Sequence, residues 1–177
     1  NETDSAFVWG ASVGVFGTET EADSAADFSG SPDRPLLIGQ IEASTRLIRG
    51  LPGNYRAYVW RNGRVDEFDG TTDAHSGWGV SIDQRVGDSL TLFGRYGHRV
   101  SGDASFDRAV TLGGEMAGNA WRRGADSVGL AFGLLHTDSA FRSATADTSL
   151  VGYAASGEEQ VAEFFYRREQ LIVVALV

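Results

Sequence analysis

Strict alternation of large apolar residues with small or polar ones is the feature of this sequence that most constrains its fold. Segment after segment repeats every two residues, which is the repeat of an extended strand and not the 3.6-residue repeat of a helix. In one such stretch Leu90, Leu92 and Tyr96 fall on one face, and Thr91 and Arg95 fall on the other. The pattern therefore predicts an all-β chain.

The lengths of these runs and of the links between them narrow the architecture. Several runs exceed the five or six residues that are about average for soluble strands, and a tilted strand needs that greater length to cross a bilayer. The links are long at 18–35, short at 49–53, long at 63–75, short at 87–89, intermediate at 101–105, short at 122–126 and long at 138–157. Tight turns at one end and long polar loops at the other are typical of barrels in the outer membrane. We therefore predict an antiparallel up-and-down transmembrane β-barrel, or a fragment of one.

About eight strands can be counted between Ser5 and Arg168, and the apolar stretch 171–177 is a candidate ninth. We treat residues 1–177 as a single β-barrel domain. An odd number of strands with an open end suggests that the barrel is incomplete.

Composition excludes several functional classes. The chain has 23 glycines and only 3 prolines among 177 residues, which suits curved strands better than helices. It has no cysteine, so disulfides and thiol chemistry are ruled out. The net charge of -9 disfavours nucleic-acid binding. Residues 1–4 lack the basic start and apolar stretch of a signal peptide, so we expect a mature or excised product.

Several stretches resemble the carbohydrate-selective porins of the OprB type. They are GNYRAYVW at 53–60, GWGVSIDQ at 77–84, LTLFGRYG at 90–97, GGEMAGNAWRRGAD at 113–126 and GLAFG at 129–133, and the likeness continues over 159–167. This resemblance implies a roughly 16-stranded barrel in the bacterial outer membrane, in contact with its lipid and packed as a homotrimer, that passes glucose and related small sugars. The chain would then be under half of a family member and would correspond to its C-terminal portion. It departs from the family after Arg168, where the expected last strand with its terminal aromatic residue is replaced by 169–177.

In a porin the face opposite the lipid selects the solute, so it should carry groups that hydrogen-bond sugar hydroxyls and aromatic rings that stack on sugar rings. The candidate sugar-binding residues are Arg56, Tyr58, Trp60, Asp83, Arg85, Arg95, Arg99 and Glu115. The alternative is that these charges only solvate a water-filled wall and pair with one another.

Aromatic residues near strand ends predict a girdle at the membrane interface, where a ring is half buried and its polar edge reaches water. The candidates are Trp9, Tyr55, Trp78, Tyr96 and Trp121. The alternative is ordinary packing in a soluble barrel.

Other motifs favour neither catalysis nor a metal. Gly10-Ala11-Ser12-Val13-Gly14 matches the G-x-S-x-G pattern of serine hydrolases, but Ser12 lies within an alternating strand and no helix follows. The histidines at 75, 98 and 136 have no metal-binding spacing. The acidic segment 19–33 has oxygen ligands for calcium but not the spacing of a known calcium loop. We expect a channel with no catalytic residues and no cofactor.

Two other classes remain open at this point. A soluble or small closed barrel that binds a ligand inside would need an apolar interior. An outer-membrane enzyme would need a convergent set of Ser, His and an acid, which the sequence does not assemble.

Overall fold

The chain consists almost entirely of long β-strands. The computed structural model describes residues 7–17, 34–67, 69–146, 157–168 and 171–176. Within these ranges the strands are β1 (Val8–Phe16), β2 (Leu36–Ile48), β3 (Leu51–Asp66), β4 (Thr72–Arg85), β5 (Leu90–Ser101), β6 (Phe106–Ala117), β7 (Ser127–Thr137), β8 (Glu158–Arg168) and β9 (Leu171–Leu176). A 3-10 helix (Gly118–Trp121) and one short helix, α1 (Ser139–Ala144), lie in the links. The predicted all-β class is confirmed, as are the eight strands before residue 169 and the ninth after it.

Every strand pairs antiparallel with the strand that follows it in the chain. The order across the sheet is β1 to β9 without a crossover, which is up-and-down topology. Among the described residues β1 pairs only with β2 and β9 only with β8, so the sheet has two open edges. The predicted barrel is therefore present as an open fragment.

Burial in β4 is the inverse of that in a water-soluble sheet. The small residues Gly77, Gly79 and Ser81 are buried, whereas Trp78 and Val80, which alternate with them, are exposed. Side chains on one face of a strand alternate with those on the other, so one whole face of the sheet presents large apolar groups to its surroundings. We call this the apolar face, and the opposite one the polar face.

The part of the chain that the structure describes has almost no apolar interior. Phe141 is the one buried hydrophobic side chain among the described residues, whereas Leu112 is 57% exposed and Leu130 62% exposed. A soluble domain of this size is stabilised by a substantial hydrophobic core. None of the described residues covers the apolar face, and a bilayer is the solvent that would cover such a band.

The link between β3 and β4 is shorter than the sequence predicts. The strands extend past the predicted loop boundaries at 63 and 75, so that only 67–71 connects them. A β-bulge between Asn62 and Val65 interrupts the alternation and hides the strand continuation in the sequence. The predicted long loop is thus wrong here.

In the β3–β4 turn Thr71 donates its hydroxyl and its backbone N–H to Asp69, and these hydrogen bonds lower the pKa of the Asp69 carboxyl.

The link between β6 and β7 is longer than the sequence predicts. The sequence predicts this link at 122–126, but the 3-10 helix lengthens it to 118–126. Gly118 makes this compact turn, since a Cβ at that position would lie 1.9 Å from the Arg123 carbonyl oxygen.

The helices of the described residues include none that is long and apolar enough to span a membrane.

The β5–β6 turn packs against a buried histidine. Gly102 has φ +88°, and a Cβ added to it would lie 1.9 Å from Cδ2 of His75. His75 is 3% exposed, and its Nε2 lies 3.4 Å from Oε1 of Glu67, which also accepts a hydrogen bond from the backbone N–H of Asp103. Glu67 thus ties the β3–β4 turn to the β5–β6 turn.

We expect Gly102→Ala to destabilise the folded chain by about 1–2 kcal/mol from backbone strain alone, and by more because the ring of His75 must move. Gly70→Ala is the matched control, because Gly70 has φ +84° but nothing within 4 Å of an added Cβ. Urea titration of the chain folded in detergent micelles measures both variants. Equal losses for the two would show that the contact with His75 contributes nothing.

Candidate functional site

The eight candidate sugar-binding side chains lie on the polar face. In an antiparallel pair, directly opposed residues point to the same side of the sheet. Arg56 opposes Ser81, and Ser81 opposes Arg95. The same register aligns Trp60 with Gly77 and Arg99, and it aligns Arg85 with Thr91 and Glu115. Residues that are far apart in sequence therefore form one continuous surface.

Four of the polar-face charges form an ionic ladder across β2 to β5. We define the ladder as Glu42, Arg56, Asp83 and Arg95. Oε2 of Glu42 lies 3.5 Å from Nε of Arg56, and Nη1 of Arg56 lies 3.5 Å from Oδ2 of Asp83. Nη2 of Arg95 lies 2.8 Å from Oδ1 of Asp83. Acidic and basic groups thus alternate, and the four charges sum to zero.

The ladder keeps hydrogen-bonding capacity free for a solute. Arg56 carries five N–H donors, and its two contacts within the ladder are long. The ladder side chains are between 27% and 51% exposed, so they face water and are not sealed in the wall. Exposed pairs of this kind add little to stability, typically about 0–1 kcal/mol each. Their arrangement is better suited to exchanging partners with a passing hydroxylated molecule.

Tyr58 and Trp60 lie flat against the wall because the neighbouring strand has glycine beneath each ring. A Cβ at Gly79 would be 2.3 Å from the Tyr58 hydroxyl oxygen, and one at Gly77 would be 2.7 Å from Cζ2 of Trp60. We call this arrangement a seated ring. A ring held in this way buries one face on the strand and keeps its orientation, as a stacking surface for a sugar requires.

Arg85 and Arg99 are on the polar face but are held by other parts of the chain. The Arg85 guanidinium donates to the Gly87 carbonyl oxygen at 3.0 Å and to that of Asp88, so it closes the short β4–β5 turn.

Arg99 donates to the Phe106 carbonyl oxygen at 3.2 Å and forms an ion pair with Asp138, and its side chain is only 10% exposed. The Asp138 side chain also caps α1 by accepting from the backbone N–H of Ala140. Arg99 therefore anchors α1 to the barrel wall.

Sequence reasoning missed three residues that the structure brings into this surface. Glu42 completes the ladder, and Phe93 and Phe165 are on the polar face beside arginines. Phe93 could have been found, because it lies at period two between Thr91 and Arg95.

The predicted girdle residues lie on or beside the apolar face. Trp9 is 70% exposed and aligns through Ala43 with Tyr55. Trp78 and Tyr96 pack together near the middle of β4 and β5, with ring centroids 5.3 Å apart, and not near strand ends as predicted. Trp121 lies in the 3-10 helix of a short link. The role of these aromatic residues at a membrane interface stays a prediction.

The weaker motifs gain no support as sites. Ser12 lies inside β1, where the strand continues to Phe16. The three histidines are in separate places: His75 contacts Glu67, the ring of His98 packs edge-on against Trp78, and His136 contacts Asp107.

In the part of the chain that the structure describes, no group of three or more His, Cys, Asp or Glu side chains is arranged to hold a metal ion. The acidic segment 19–33 lies outside the described residues.

A long-stranded up-and-down sheet that is apolar on one face and charged on the other defines a transmembrane β-barrel of the porin class. The comparisons with known proteins agree with this class. Residues 1–169 match the model of the carbohydrate-selective porin, OprB family. The chain belongs to this family, which places it in the bacterial outer membrane.

A solved structure has the same fold. The high-pH structure of OprB from Pseudomonas putida matches with a TM-score of 0.74 at 19% sequence identity, over 94% of this chain and 47% of that chain. The chain therefore spans about half the length of this solved relative. The search of curated proteins finds no match.

Proposed function

We propose that the chain forms part of the wall of an outer-membrane channel through which sugars such as glucose diffuse passively. The observation that carries this proposal is the ionic ladder beside the two seated rings of Tyr58 and Trp60 on the polar face. Membership of a carbohydrate-selective porin family supports the same solute class. No covalent chemistry is involved.

The proposed contacts follow from the chemistry of a sugar. Guanidinium groups donate to its hydroxyl oxygens, carboxylates accept from its hydroxyl hydrogens, and an aromatic ring covers the apolar face of the pyranose. Arg56, Asp83 and Arg95 supply the polar contacts, while Tyr58 and Trp60 supply the stacking surface. Each contact is weak and partly exposed, so a sugar can leave as readily as it enters, which diffusion through a channel requires.

The same polar wall contains Arg85, Arg99 and Glu115, which have different roles in this proposal. Arg85 and Arg99 donate to their own turns and to Asp138, so they shape the wall more than they bind solute. Glu115 is accessible, with its side chain 38% exposed, and remains a candidate contact.

The family resemblance also leads us to propose a homotrimer of complete barrels, embedded in outer-membrane lipid. Light scattering of detergent-solubilised particles, corrected for bound detergent, tests this assembly. A mass of one barrel would contradict it.

The alternative of a soluble barrel requires the large apolar residues to lie on the inner face of the sheet. A barrel that encloses an apolar ligand needs its large apolar residues on one sealed inner face. Here Leu112 and Leu130 are more than half exposed, and the opposite face carries the ladder. This placement of exposed apolar residues on one face and charged residues on the other favours the channel.

The experiment is purification of the chain followed by measurement in planar bilayers. We expect the chain to need detergent and to show strand-rich circular dichroism, and we expect the complete barrel of which it is part to give a conductance that glucose reduces in a saturable manner. The matched variant Trp60→Ala should weaken the glucose effect, because it removes one seated ring. A chain that stays monodisperse without detergent, or a conductance insensitive to glucose, would refute the proposal.

A further inference from the structure

The polar face contains the same three-part arrangement twice. In the first, Phe93 and Arg95 are two residues apart in β5, and the Arg95 Cζ lies 5.3 Å from the Phe93 ring centroid. In the second, Phe165 and Arg167 are two residues apart in β8, and the Arg167 Cζ lies 5.7 Å from the Phe165 ring centroid. A guanidinium at this distance is held against the ring by a cation–π interaction.

Both phenylalanine rings are seated on a glycine of the adjacent strand. A Cβ at Gly113 would be 2.4 Å from Cζ of Phe93, and a Cβ at Gly129 would be 2.2 Å from Cε1 of Phe165. The two rings therefore lie flat on the wall in the manner of Tyr58 and Trp60. Phenylalanine has no polar atom that would explain its place on a water-facing surface, so a flat ring there is suited to an apolar partner that arrives with water around it.

Each arginine also has a carboxylate partner on the same face. Arg95 pairs with Asp83, and Arg167 pairs with Glu115, whose Oε1 lies 3.7 Å from Nη1 of Arg167. The second pair is more open than the first, with side chains 56% and 38% exposed. A sugar that displaces the guanidinium from the ring would meet an apolar surface, a donor and an acceptor together, which are the features that recognise a pyranose.

We propose that Phe165, Arg167 and Glu115 form a second sugar-binding station, separate from the ladder and nearer the end of the sheet where the short links lie. This inference rests on the proposed function. Its ligand class is a neutral hexose, since the charges of Arg167 and Glu115 cancel. From the spacing of strands and residues, the ring of Phe165 is about 15 Å across the sheet from the ring of Phe93, which lies beside the ladder. A sugar that leaves the ladder would therefore have a second place to bind before it reaches the end of the wall.

The stations can be observed separately by ¹⁹F NMR of the detergent-solubilised chain labelled with 4-fluorophenylalanine. The chain has 10 phenylalanines, and Phe93→Leu, Phe165→Leu and Phe132→Leu assign three resonances by their disappearance. Phe132 is the internal control, because it is 46% exposed on the apolar face and should not sense sugar. The probe is D-glucose.

We expect saturable shifts of the Phe93 and Phe165 resonances and none of Phe132. A response of Phe93 without one of Phe165 would overturn the second station and leave the proposed function standing. A response of Phe165 alone would support the second station and count against sugar binding at the ladder. The absence of both responses would refute both proposals, and a parallel shift of Phe132 would show a non-specific effect and overturn the station.

Variants then test whether the seated ring and its ion pair form the station. We expect Gly129→Ala to abolish the Phe165 response and to leave that of Phe93 unchanged, whereas Gly124→Ala, where nothing lies within 4 Å of an added Cβ, should change neither. Arg167→Gln is a milder variant of an exposed side chain and should weaken the apparent glucose affinity at Phe165 about five- to tenfold, the loss of one charged hydrogen bond. An unaltered Phe165 response in both Gly129→Ala and Arg167→Gln would overturn the station.

Discussion

Phe132→Arg is expected to shift the folding equilibrium in lipid vesicles toward the unfolded chain by about 30- to 1,000-fold. Phe132 lies in the middle of β7 on the apolar face and is 46% exposed. An arginine on the lipid-facing side near the bilayer midplane costs about 2–4 kcal/mol. The measurement is a urea titration of vesicle-inserted chain, followed by the gel mobility of folded and unfolded forms.

The matched control is Ala131→Arg, at the neighbouring position. Ala131 is on the polar face, directly opposite Glu163, so the new guanidinium would face water and a carboxylate. We expect a loss of less than about 1 kcal/mol, in the range of an exposed ion pair. If both substitutions were equally costly, the sidedness assigned to the sheet would be wrong.

Asp83→Asn is expected to make the conducting wall more anion-selective and to weaken glucose binding about tenfold. Asp83 is the central carboxylate of the ladder and pairs with both Arg56 and Arg95. Asparagine keeps the size but removes the charge, so Arg95 loses its carboxylate partner in the ladder and Arg56 keeps only Glu42. Loss of a hydrogen bond to a charged group is worth about 1.5 kcal/mol at a half-exposed site, which is roughly tenfold in affinity.

The selectivity is measured as the reversal potential in a potassium chloride gradient, and the affinity as the glucose concentration that halves the conductance change. Glu42→Gln is the control, because it makes the same change of charge at the end of the ladder, where the side chain is 51% exposed and pairs with Arg56 alone. A smaller effect is expected there, especially at salt concentrations near 0.1 M, where charges more than about 10 Å apart are screened. Equal effects of the two variants would show that Asp83 has no special role.

Much of this molecule could be predicted from the alternation of its residues. Large apolar and polar residues alternate with a period of two around Leu90 and Trp78. The side chains of both stretches were assigned to the correct faces of the sheet. The arginines and acids of the polar face followed from the same rule. Only the strand geometry is needed for such a prediction, because side-chain direction in a strand is a local property.

The failures occur where a local irregularity hides the pattern. The bulge between Asn62 and Val65 made one long hairpin look like a long loop, and the 3-10 helix at Gly118–Trp121 made a link look like a strand. Both features depend on backbone hydrogen bonds that a sequence pattern does not encode.

The aromatic residues of the polar face show a second kind of limit. Phe93 and Phe165 are hydrophobic, so their residue type gives no reason to expect them on the polar face. What holds them on the polar face is a glycine in the adjacent strand, at Gly113 and Gly129. Whether a ring meets a glycine depends on which residues face each other across two strands, and no single strand contains that information.

The sequence alone determined the strand class and the two unlike faces of the sheet, because these depend on residues two positions apart in the same segment. Only the tertiary structure decided that Asp83 lies between Arg56 and Arg95, and that each phenylalanine is seated on its glycine. The physical reason is register: a shift of one residue between paired strands would turn every side chain to the other face, and the pairing is fixed by contacts along the whole sheet.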